Sequence, residues 1–520
     1  MKNLKVKTFI GFCLTFLFLI NLFVVIAALI FGGWMWVTGA ILLSIGQLAL
    51  WDAYQKKHTI LRNFPIVGRF RYLIESFRPK FIQYFEGELE GRPFNRRQRS
   101  VIYQRAKNVR DTVAFGMQSD PYSPGHEWIA HSIYPVKIKN PNLRVIVGLS
   151  NCRQPYDLSI LNIGAMSYGA LSKTAVQSLS EGAKKGGFAI NTGEGGISPY
   201  HIEGGGDIIW QIGTGYFGCR TTEGKFDPIL FRQNAGNPQV KMVELKLSQG
   251  AKPGHGGILP AIKNTNEIAA IRNVVPGVTV YSPGHHSAFS NAVEMLSFID
   301  YLKLLSDYKP VGIKLCIGNK SEFEDLCAAM KKTNIYPDFI TIDGSEGGTG
   351  AAPLEFTDHV GMPLLEALAF TSEMKRKYRI PSTVIASGRI ITAFDILKAI
   401  AMGAEACYSA RGMMMALGCI QALICDSGNC PVGITTQNKR LYRGIDIGDK
   451  RVRIANYHKN TLSAVVELME ACGYKSTSEV EARDFNRRLN RHQSMSLQDI
   501  YFSGVDLHSR DNSSRYTYLN

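Results

Sequence analysis

Three cysteines, Cys419, Cys425 and Cys430, stand in a C-x5-C-x4-C-P run within a chain of 520 residues that has only 10 cysteines. Deprotonated sulfur binds soft metals strongly, so three thiols this close point to an iron or zinc centre. Zinc sites usually pair cysteines as C-x2–4-C and use four ligands, and this run does neither. Pro431 follows Cys430, as proline follows cluster cysteines in ferredoxin-type runs. Three ligands without a fourth favour a [3Fe–4S] cluster over [4Fe–4S]; the alternative is three buried thiols that bind nothing. The other cysteines (Cys13, Cys152, Cys219, Cys316, Cys327, Cys407 and Cys472) are scattered singly, which fits a reducing cytoplasm better than a disulfide scaffold.

Such a centre needs a scaffold to position it. From residue 158 the chain alternates short apolar runs with helical periodicity. The spacing predicts strands at Leu158–Ile163, Phe188–Asn191, Met242–Leu247, Val278–Ser282, Val311–Leu315, Phe339–Asp343, Thr383–Ala386 and Ala406–Ser409. Helices are expected between them, among them Lys173–Lys185 and residues 291–306, 321–333, 362–377 and 392–402. Strands alternating with helices argue for parallel α/β architecture, and eight of them suggest a TIM (β/α)8 barrel with its chemistry at the strand C-termini.

Five separate stretches carry a resemblance. They are Gly164-Ala-Met-Ser-Tyr-Gly-Ala-Leu-Ser172, Asn191-Thr-Gly-Glu-Gly-Gly196, Lys246-Leu-Ser-Gln-Gly-Ala-Lys-Pro-Gly254, Asp343-Gly-Ser-Glu-Gly-Gly-Thr-Gly350, and Leu417-Gly-Cys through Cys430-Pro-Val-Gly433. In this order the chain resembles the synthase domain of glutamate synthase, its FMN- and [3Fe–4S]-binding barrel, and in particular the short stand-alone relatives. The resemblance implies a TIM barrel, bound FMN, and a cluster on Cys419, Cys425 and Cys430.

FMN needs a phosphate site, a surface for its ring and polar contacts at the N1–O2 and N5 edges. In β/α barrels the phosphate usually rests on backbone amides after strands 7 and 8. The candidates here are Ser387-Gly388-Arg389, Gly403-Ala404 and Ser409-Ala410-Arg411, with Gly347, Gly348, Thr349 and Gly350 after strand 6 as a third loop where glycine permits close approach. By resemblance, Lys314 lies at the flavin, where a cation would stabilise the anionic reduced ring; Met166 and Ser167 lie against the ring, and Gln249 is a polar contact. Lys252, Arg272 and Ser290 match positions that hold 2-oxoglutarate, and Glu194, Lys252 and Lys314 are the expected catalytic set. A dicarboxylate suits a fork of cationic donors.

Departures from the family pattern are specific. Glutamate synthases follow Lys-Pro-Gly with Glu-Gly-Gly-Gln; here His255-Gly-Gly-Ile258 follows, which removes a substrate hydrogen bond. Ile197 replaces an acid after Gly193-Glu-Gly-Gly196, and Ala292 replaces a glutamate near the entry for ammonia. His255, His285 and His286 lie near the expected mouth, as acid/base groups or as loop histidines without a role.

A formal charge of +16 raises the question of nucleic acid, but no nucleic-acid-binding signature accompanies the basic residues, and no nucleic-acid partner is expected. A membrane surface suits the basic stretch near residues 56–110 better. Phe9–Phe31 and Trp34–Trp51 are two uncharged apolar runs separated by Gly32-Gly33. About 20 apolar residues span a bilayer, so each run is long enough for a helix. Lys2, Lys5 and Lys7 before the first run and Lys56, Lys57 and Arg62 after the second put both ends in the cytoplasm. A cleaved signal peptide is disfavoured by the length of the first run and the presence of the second.

The sequence therefore predicts a transmembrane hairpin (1–58), a collar (59–150), an FMN-binding barrel with an iron–sulfur loop (151–475) and a C-terminal extension read as a helix and a polar tail (476–520). The implied activity is reductive amination of a 2-oxoacid, 2-oxoglutarate to glutamate, with ammonia or an amine as nitrogen source. No glutaminase is expected, because the chain opens with the hairpin instead of a catalytic cysteine. No Gly-x-Gly-x-x-Gly fingerprint is present, so electrons are expected from a ferredoxin- or reductase-like partner through the cluster. The rival readings are an amine or amino-acid dehydrogenase, an N-substituted glutamate synthase-type subunit, and an electron-transfer subunit of a membrane complex.

Overall fold

Eight parallel strands close into a barrel in which each pairs with the next: β1 (Leu161–Ile163), β2 (Ala189–Asn191), β3 (Asp207–Ile212), β4 (Val240–Lys246), β5 (Val311–Leu315), β6 (Phe339–Asp343), β7 (Thr383–Ser387) and β8 (Ala406–Ser409). The ring shuts where Cys407 of β8 pairs with Leu161 of β1. The chain is described here by a computed structural model covering residues 19–27, 30, 33–55, 59–85, 93–109, 111–148 and 152–502. Two compact units result, Met1–Gly91 and Arg92–Asn520. The stretch read as a collar over 59–150 is thus shared between them.

The strands are apolar along most of their length because both faces are covered, by the barrel interior and by the surrounding helices. Two expectations are corrected. Val278–Ser282 is not a barrel strand: Val280–Tyr281 pairs antiparallel with Ile258–Leu259 in a two-stranded ribbon within the long insertion after β4. The barrel position belongs instead to Asp207–Ile212, which pairs with β2 and β4. That strand follows a helix of only six residues, Pro199–Gly204, so no full helical repeat announces it. The C-terminal region also differs from the expected helix. Phe485–Arg488 pairs antiparallel with both Glu127–Ile129 and Ser494–Ser496, and the short helix Leu497–Tyr501 comes next. The expected polar tail over 503–520 lies outside the described residues.

Outside the barrel, the 26-residue helix Ile447–Cys472 packs on the first barrel helix, Lys173–Gly186. Gly182 makes that approach possible, since a Cβ there would meet the Cβ of Ile454 at 2.6 Å. His458 of the long helix stacks on Phe188 with ring centroids 3.9 Å apart. The helix Arg96–Ala106 begins at Asn95, whose side chain accepts from the Gln98 amide in a reciprocal capping box.

The first unit contains Trp34–Tyr54, Thr59–Asn63 and Val67–Phe85. Trp34–Tyr54 is 21 residues long, with hydropathy 1.4, which is long and apolar enough to cross a membrane. It is the one such helix among the described residues. Of the first apolar run, residues 19–27 are helical, while most of Phe9–Phe31 lies outside the described residues, so one candidate span is shown rather than a two-helix hairpin. Asn21 Nδ2 donates to Ser44 Oγ at 2.9 Å and to Gln47 Oε1 at 3.2 Å.

Candidate functional site

Inside the barrel a buried carboxylate, Glu244, accepts from Asn191 Nδ2 at 2.8 Å, Gln211 Nε2 at 2.6 Å and Thr341 Oγ1 at 2.7 Å. Four strands are thereby tied by one polar plug, because a buried carboxylate without donors would be costly. Two residues further along β4 the chain reaches Lys246, whose register partner on β5 is Lys314. Lys246 ends β4 and Lys314 is the penultimate residue of β5, so the barrel itself brings two cations to its C-terminal mouth.

Each has its own carboxylate. Lys246 Nζ lies 2.8 Å from Glu194 Oε2 and 3.3 Å from Gln249 Oε1. Lys314 Nζ lies 3.2 Å from Asp343 Oδ2, which also accepts from the Gly250 amide at 2.9 Å, while Ser387 Oγ donates to Asp343 Oδ1 at 2.7 Å. Burial opposes the charge on Lys314, yet Asp343, Glu244 and Glu194 outweigh it and hold the ammonium above its ordinary range. Burial likewise opposes ionisation of Glu194, but Lys246, then Arg272 and Lys252, hold it below the usual carboxylate range.

Lys252 and Arg272 complete the mouth. Lys252 Nζ donates to the Ala351 carbonyl at 2.9 Å, and burial lowers its pKa despite Glu194. Arg272 Nη2 donates to the Tyr168 carbonyl at 2.9 Å and to Ser167 Oγ at 3.4 Å; its Nε is buried without a partner. Its guanidinium sits 5.0 Å from the centroid of Phe217, and burial pulls its pKa down to about 10. Four cations thus stand against Glu194, Asp343 and the deeper Glu244, an excess of positive charge that suits an anionic ligand.

The loops after β1 and β2 cross closely: a Cβ on Gly193 would stand 2.7 Å from the Ser167 amide and 3.1 Å from that of Met166. Gly193 has φ +61, so the crossing needs glycine twice over. Loops after β6, β7 and β8 form a second cradle. Gly388 has φ +139, and a Cβ on Gly348 would come within 2.8 Å of Arg411 Nε. Arg389 and Arg411 lie over the buried Phe94 ring at 5.6 and 4.9 Å. Burial and then Arg389 lower the pKa of Arg411 to about 10, and Arg411 donates to the Glu346 carbonyl. Two guanidiniums on one ring, beside glycine loops, are a donor set for a phosphate-sized anion.

Met166, Ser167, Glu194, Gln249, Lys252, Arg272, Lys314, Gly347, Gly348, Thr349, Gly350, Ser387, Gly388, Arg389 and Arg411 therefore gather at the strand C-termini. Three expected residues do not join them. Gly403 and Ala404 precede β8 at the opposite end of the barrel, and their amides already donate to Ile400 and Ala399 in closing the helix before it. Ser290 is exposed and spends its amide and hydroxyl on Glu294 at the start of the helix Ala292–Leu305. Lys246, Glu244, Asp343 and Phe94 are participants that sequence reasoning missed as site residues. A charged residue closing a buried strand was the available signal for Lys246 and Asp343; nothing local marks Phe94.

The cysteine loop lies beside this cradle. Gln421 bonds both backbone groups of Phe94 at 3.1 Å, and Tyr103 OH donates to the Cys419 carbonyl at 2.7 Å. Buried Lys263 donates to the Cys425 carbonyl at 2.6 Å. The thiols lie close enough to influence one another's ionisation. Burial pushes Cys419 up to about 11 and raises Cys425. On Cys430 burial is outweighed by donors from Thr435, Ile434 and Val432, which hold the thiol below its ordinary range. Among the described residues no three or more His, Cys, Asp or Glu side chains stand close enough together to hold a metal ion. His286 backs onto the site, its Nε2 2.9 Å from the Lys246 carbonyl, in the wall of a cavity of about 790 Å³ that Leu247, Phe289 and Glu294 also line.

Comparison with known proteins follows the same residues. Residues 125–475 match the family described as the conserved region in glutamate synthase. The glutamate synthase large subunit-like protein YerD of Bacillus subtilis is 37% identical over 469 residues, covering 82% of this chain and 89% of that protein. An archaeal glutamate synthase [NADPH] of Methanocaldococcus jannaschii is 33% identical over 382 residues, covering 73% and 70%. Among solved structures, mandelate oxidase with (S)-2-phenylpropionate aligns over 75% of this chain and 99% of its own at 14% identity and TM-score 0.44, too loose a likeness to bear on function.

Proposed function

The chain belongs to the glutamate synthase family, a family of oxidoreductases, and from that premise we propose that it is a flavin enzyme that reductively aminates a 2-oxoacid, with 2-oxoglutarate giving glutamate. The observation that carries this reading is the constellation of Lys246, Lys252, Arg272 and Lys314 around Glu194 and Asp343 at the barrel mouth. An excess of buried cations needs an anion, and Arg272 keeps an unused donor.

FMN, when bound and reduced by two electrons, would supply the hydride that converts an imine of the oxoacid with ammonia or an amine into the amino acid. Arg389, Arg411 and the Gly347–Gly350 and Ser387–Gly388 loops are the residues that fit its phosphate, because a Cβ at Gly348 would fill the space by Arg411. Asp343 fixes the Lys314 ammonium in place and keeps it charged, and that charge would stabilise the reduced ring of a bound flavin. Lys252 and Arg272 bind and orient the carboxylates of the oxoacid. Glu194, held ionised by its three cations, accepts or returns a proton at the substrate nitrogen. Cys419, Cys425 and Cys430 are the residues that the family resemblance assigns to a [3Fe–4S] cluster; donors around Cys430 suit a thiolate, although the three side chains are not grouped closely enough here to hold a single metal ion. Such a cluster supplies one-electron transfer from a ferredoxin- or reductase-like partner. The protein is proposed to sit on the membrane through its N-terminal apolar segment, with the barrel in the cytoplasm.

Ile258 and Ile197 favour a second reading within this site: another oxoacid, or a substituted amine in place of ammonia, including the reverse dehydrogenation. Both isoleucines stand where the family places polar groups. Anaerobic purification with absorbance and EPR spectra tests the cofactor set, and amino-acid analysis after turnover with different oxoacids and amines tests the substrate. A flavin spectrum with a cluster signal lost in Cys430→Ser supports the reading; absence of both cofactors from folded protein overturns it.

A further inference from the structure

The helix Val67–Phe85 follows the candidate span closely and has a sharply divided surface. Val67, Phe70, Ile74, Phe77 and Phe81 recur at three- and four-residue spacing, which places them on one face, and all are exposed; Val67 is 73% and Phe70 65% accessible. Phe64 before the helix and Leu73 at its border extend the same apolar surface. At 100° per residue Arg69 falls on one edge of this face and Arg71 on the other. The sequence repeats the pattern with Arg78 and Lys80, and Glu75 is the one acid between residues 67 and 85.

The helix is also tied to the end of the span. Asp52, fully buried in Trp34–Tyr54, accepts from Arg69 Nη2 at 2.6 Å and from the Ile66 amide at 3.1 Å. Arg71 Nε pairs with Glu75 at 2.9 Å, one turn further along the same edge of the helix. At 19 residues Val67–Phe85 is long enough to span a bilayer, but its charges keep it from qualifying as a span. An apolar face bordered by long cationic side chains suits the headgroup boundary, where the rings enter the acyl region and the arginines reach back to phosphate.

We infer that Val67–Phe85 lies in the plane of the membrane surface, its Val67–Phe70–Ile74 face buried in the acyl boundary and its basic edges on anionic lipid headgroups. The occupant is a lipid surface because the flanking charge is positive and the helix is fastened to the end of an apolar segment of membrane-spanning length. This interaction is separate from the barrel chemistry and stands whether or not 2-oxoglutarate is the substrate.

The test uses the full-length protein in phosphatidylcholine vesicles, with and without about a third phosphatidylglycerol. The photoreactive p-benzoylphenylalanine replaces Phe70 in one sample and Ser76, on the opposite face, in another. The expected result is lipid adducts at position 70 at least about tenfold above those at 76, strengthened by phosphatidylglycerol. Adducts at position 70 to protein, either the same chain or a second copy, overturn the inference. Equal labelling at the two positions, or none at 70, overturns it as well. Lipid adducts indifferent to phosphatidylglycerol overturn the assignment to an anionic surface. Carbonate extraction of the same vesicles reports on Trp34–Tyr54 separately.

Discussion

Lys246 Nζ stands 2.8 Å from Glu194 Oε2, and this pair joins the end of β4 to the loop after β2 at the barrel mouth. Because Glu194 also faces Arg272 and Lys252, its charge decides how much positive field is left for a substrate. In Glu194→Gln the three cations lose their shared counter-charge. The expected outcome is a lower KM for a 2-oxoacid with kcat reduced by about 10²–10⁴-fold, the range for loss of an acid/base group. Steady-state kinetics check it; unchanged kcat would make Glu194 a purely structural partner of Lys246.

The same carboxylate has a stability signature. Its folded pKa is depressed from an ordinary value of 4.5, so its contribution is present above pH 4.5 and fades as pH falls through the folded value. Thermal melts of the wild type should therefore lose stability below pH 4.5 more steeply than those of Glu194→Gln.

His458 titrates in a different window. Burial lowers its pKa from 6.5 to about 4, against the support of the Leu161 carbonyl, and it sits between Phe188 and Ser159. A neutral buried imidazole contributes stability above pH 6.5 that is lost as pH falls toward 4, because the unfolded chain gains the proton first. The full contribution is on the order of 3 kcal/mol. Replacing His458 with Gln should flatten the fall in Tm between pH 6.5 and 4, whatever it does to Tm at pH 8.

Arg411 and Gly403 separate two kinds of glycine-rich loop. Arg411→Gln is expected to weaken FMN retention by about 10–100-fold, the loss of one charge-assisted bond to phosphate. Gly403→Ala meets the Ser372 hydroxyl and a φ of +107, so it should lower Tm while folded protein keeps its flavin. Flavin-to-protein ratios after dialysis distinguish the two.

These contrasts show what the sequence could and could not reveal. β5 and β6 were legible because their apolar runs are followed by full helical repeats, and the cation at position 314 stood out in an apolar strand. β3 was not, since Pro199–Gly204 is too short to show a period, and Val280–Tyr281 has the right composition for a strand but pairs in a ribbon. Gly403 looks like a phosphate loop by composition; only the direction of β8 puts it at the far end of the barrel. Phe94 is placed beneath Arg389 and Arg411 by Gln421, more than three hundred positions away, a relation that no local pattern carries.

Ile258 offers a gain-of-function check. It is 36% exposed, at the start of the ribbon that follows Lys252. Ile258→Gln restores an amide where glutamate synthases carry one. If 2-oxoglutarate is the substrate, its affinity should rise by about 5–10-fold, the value of one added hydrogen bond. No gain, with tighter binding of a different oxoacid by the wild type, favours the alternative substrate.

The central claim is tested most directly by anaerobic reoxidation. The dithionite-reduced protein, freed of excess reductant, is mixed with 2-oxoglutarate and ammonium while absorbance near the flavin band is followed. Return of the oxidised flavin spectrum together with an equivalent of glutamate is the expected result. A flavin that stays reduced with every oxoacid and amine tried would contradict a reductive aminase at this barrel mouth.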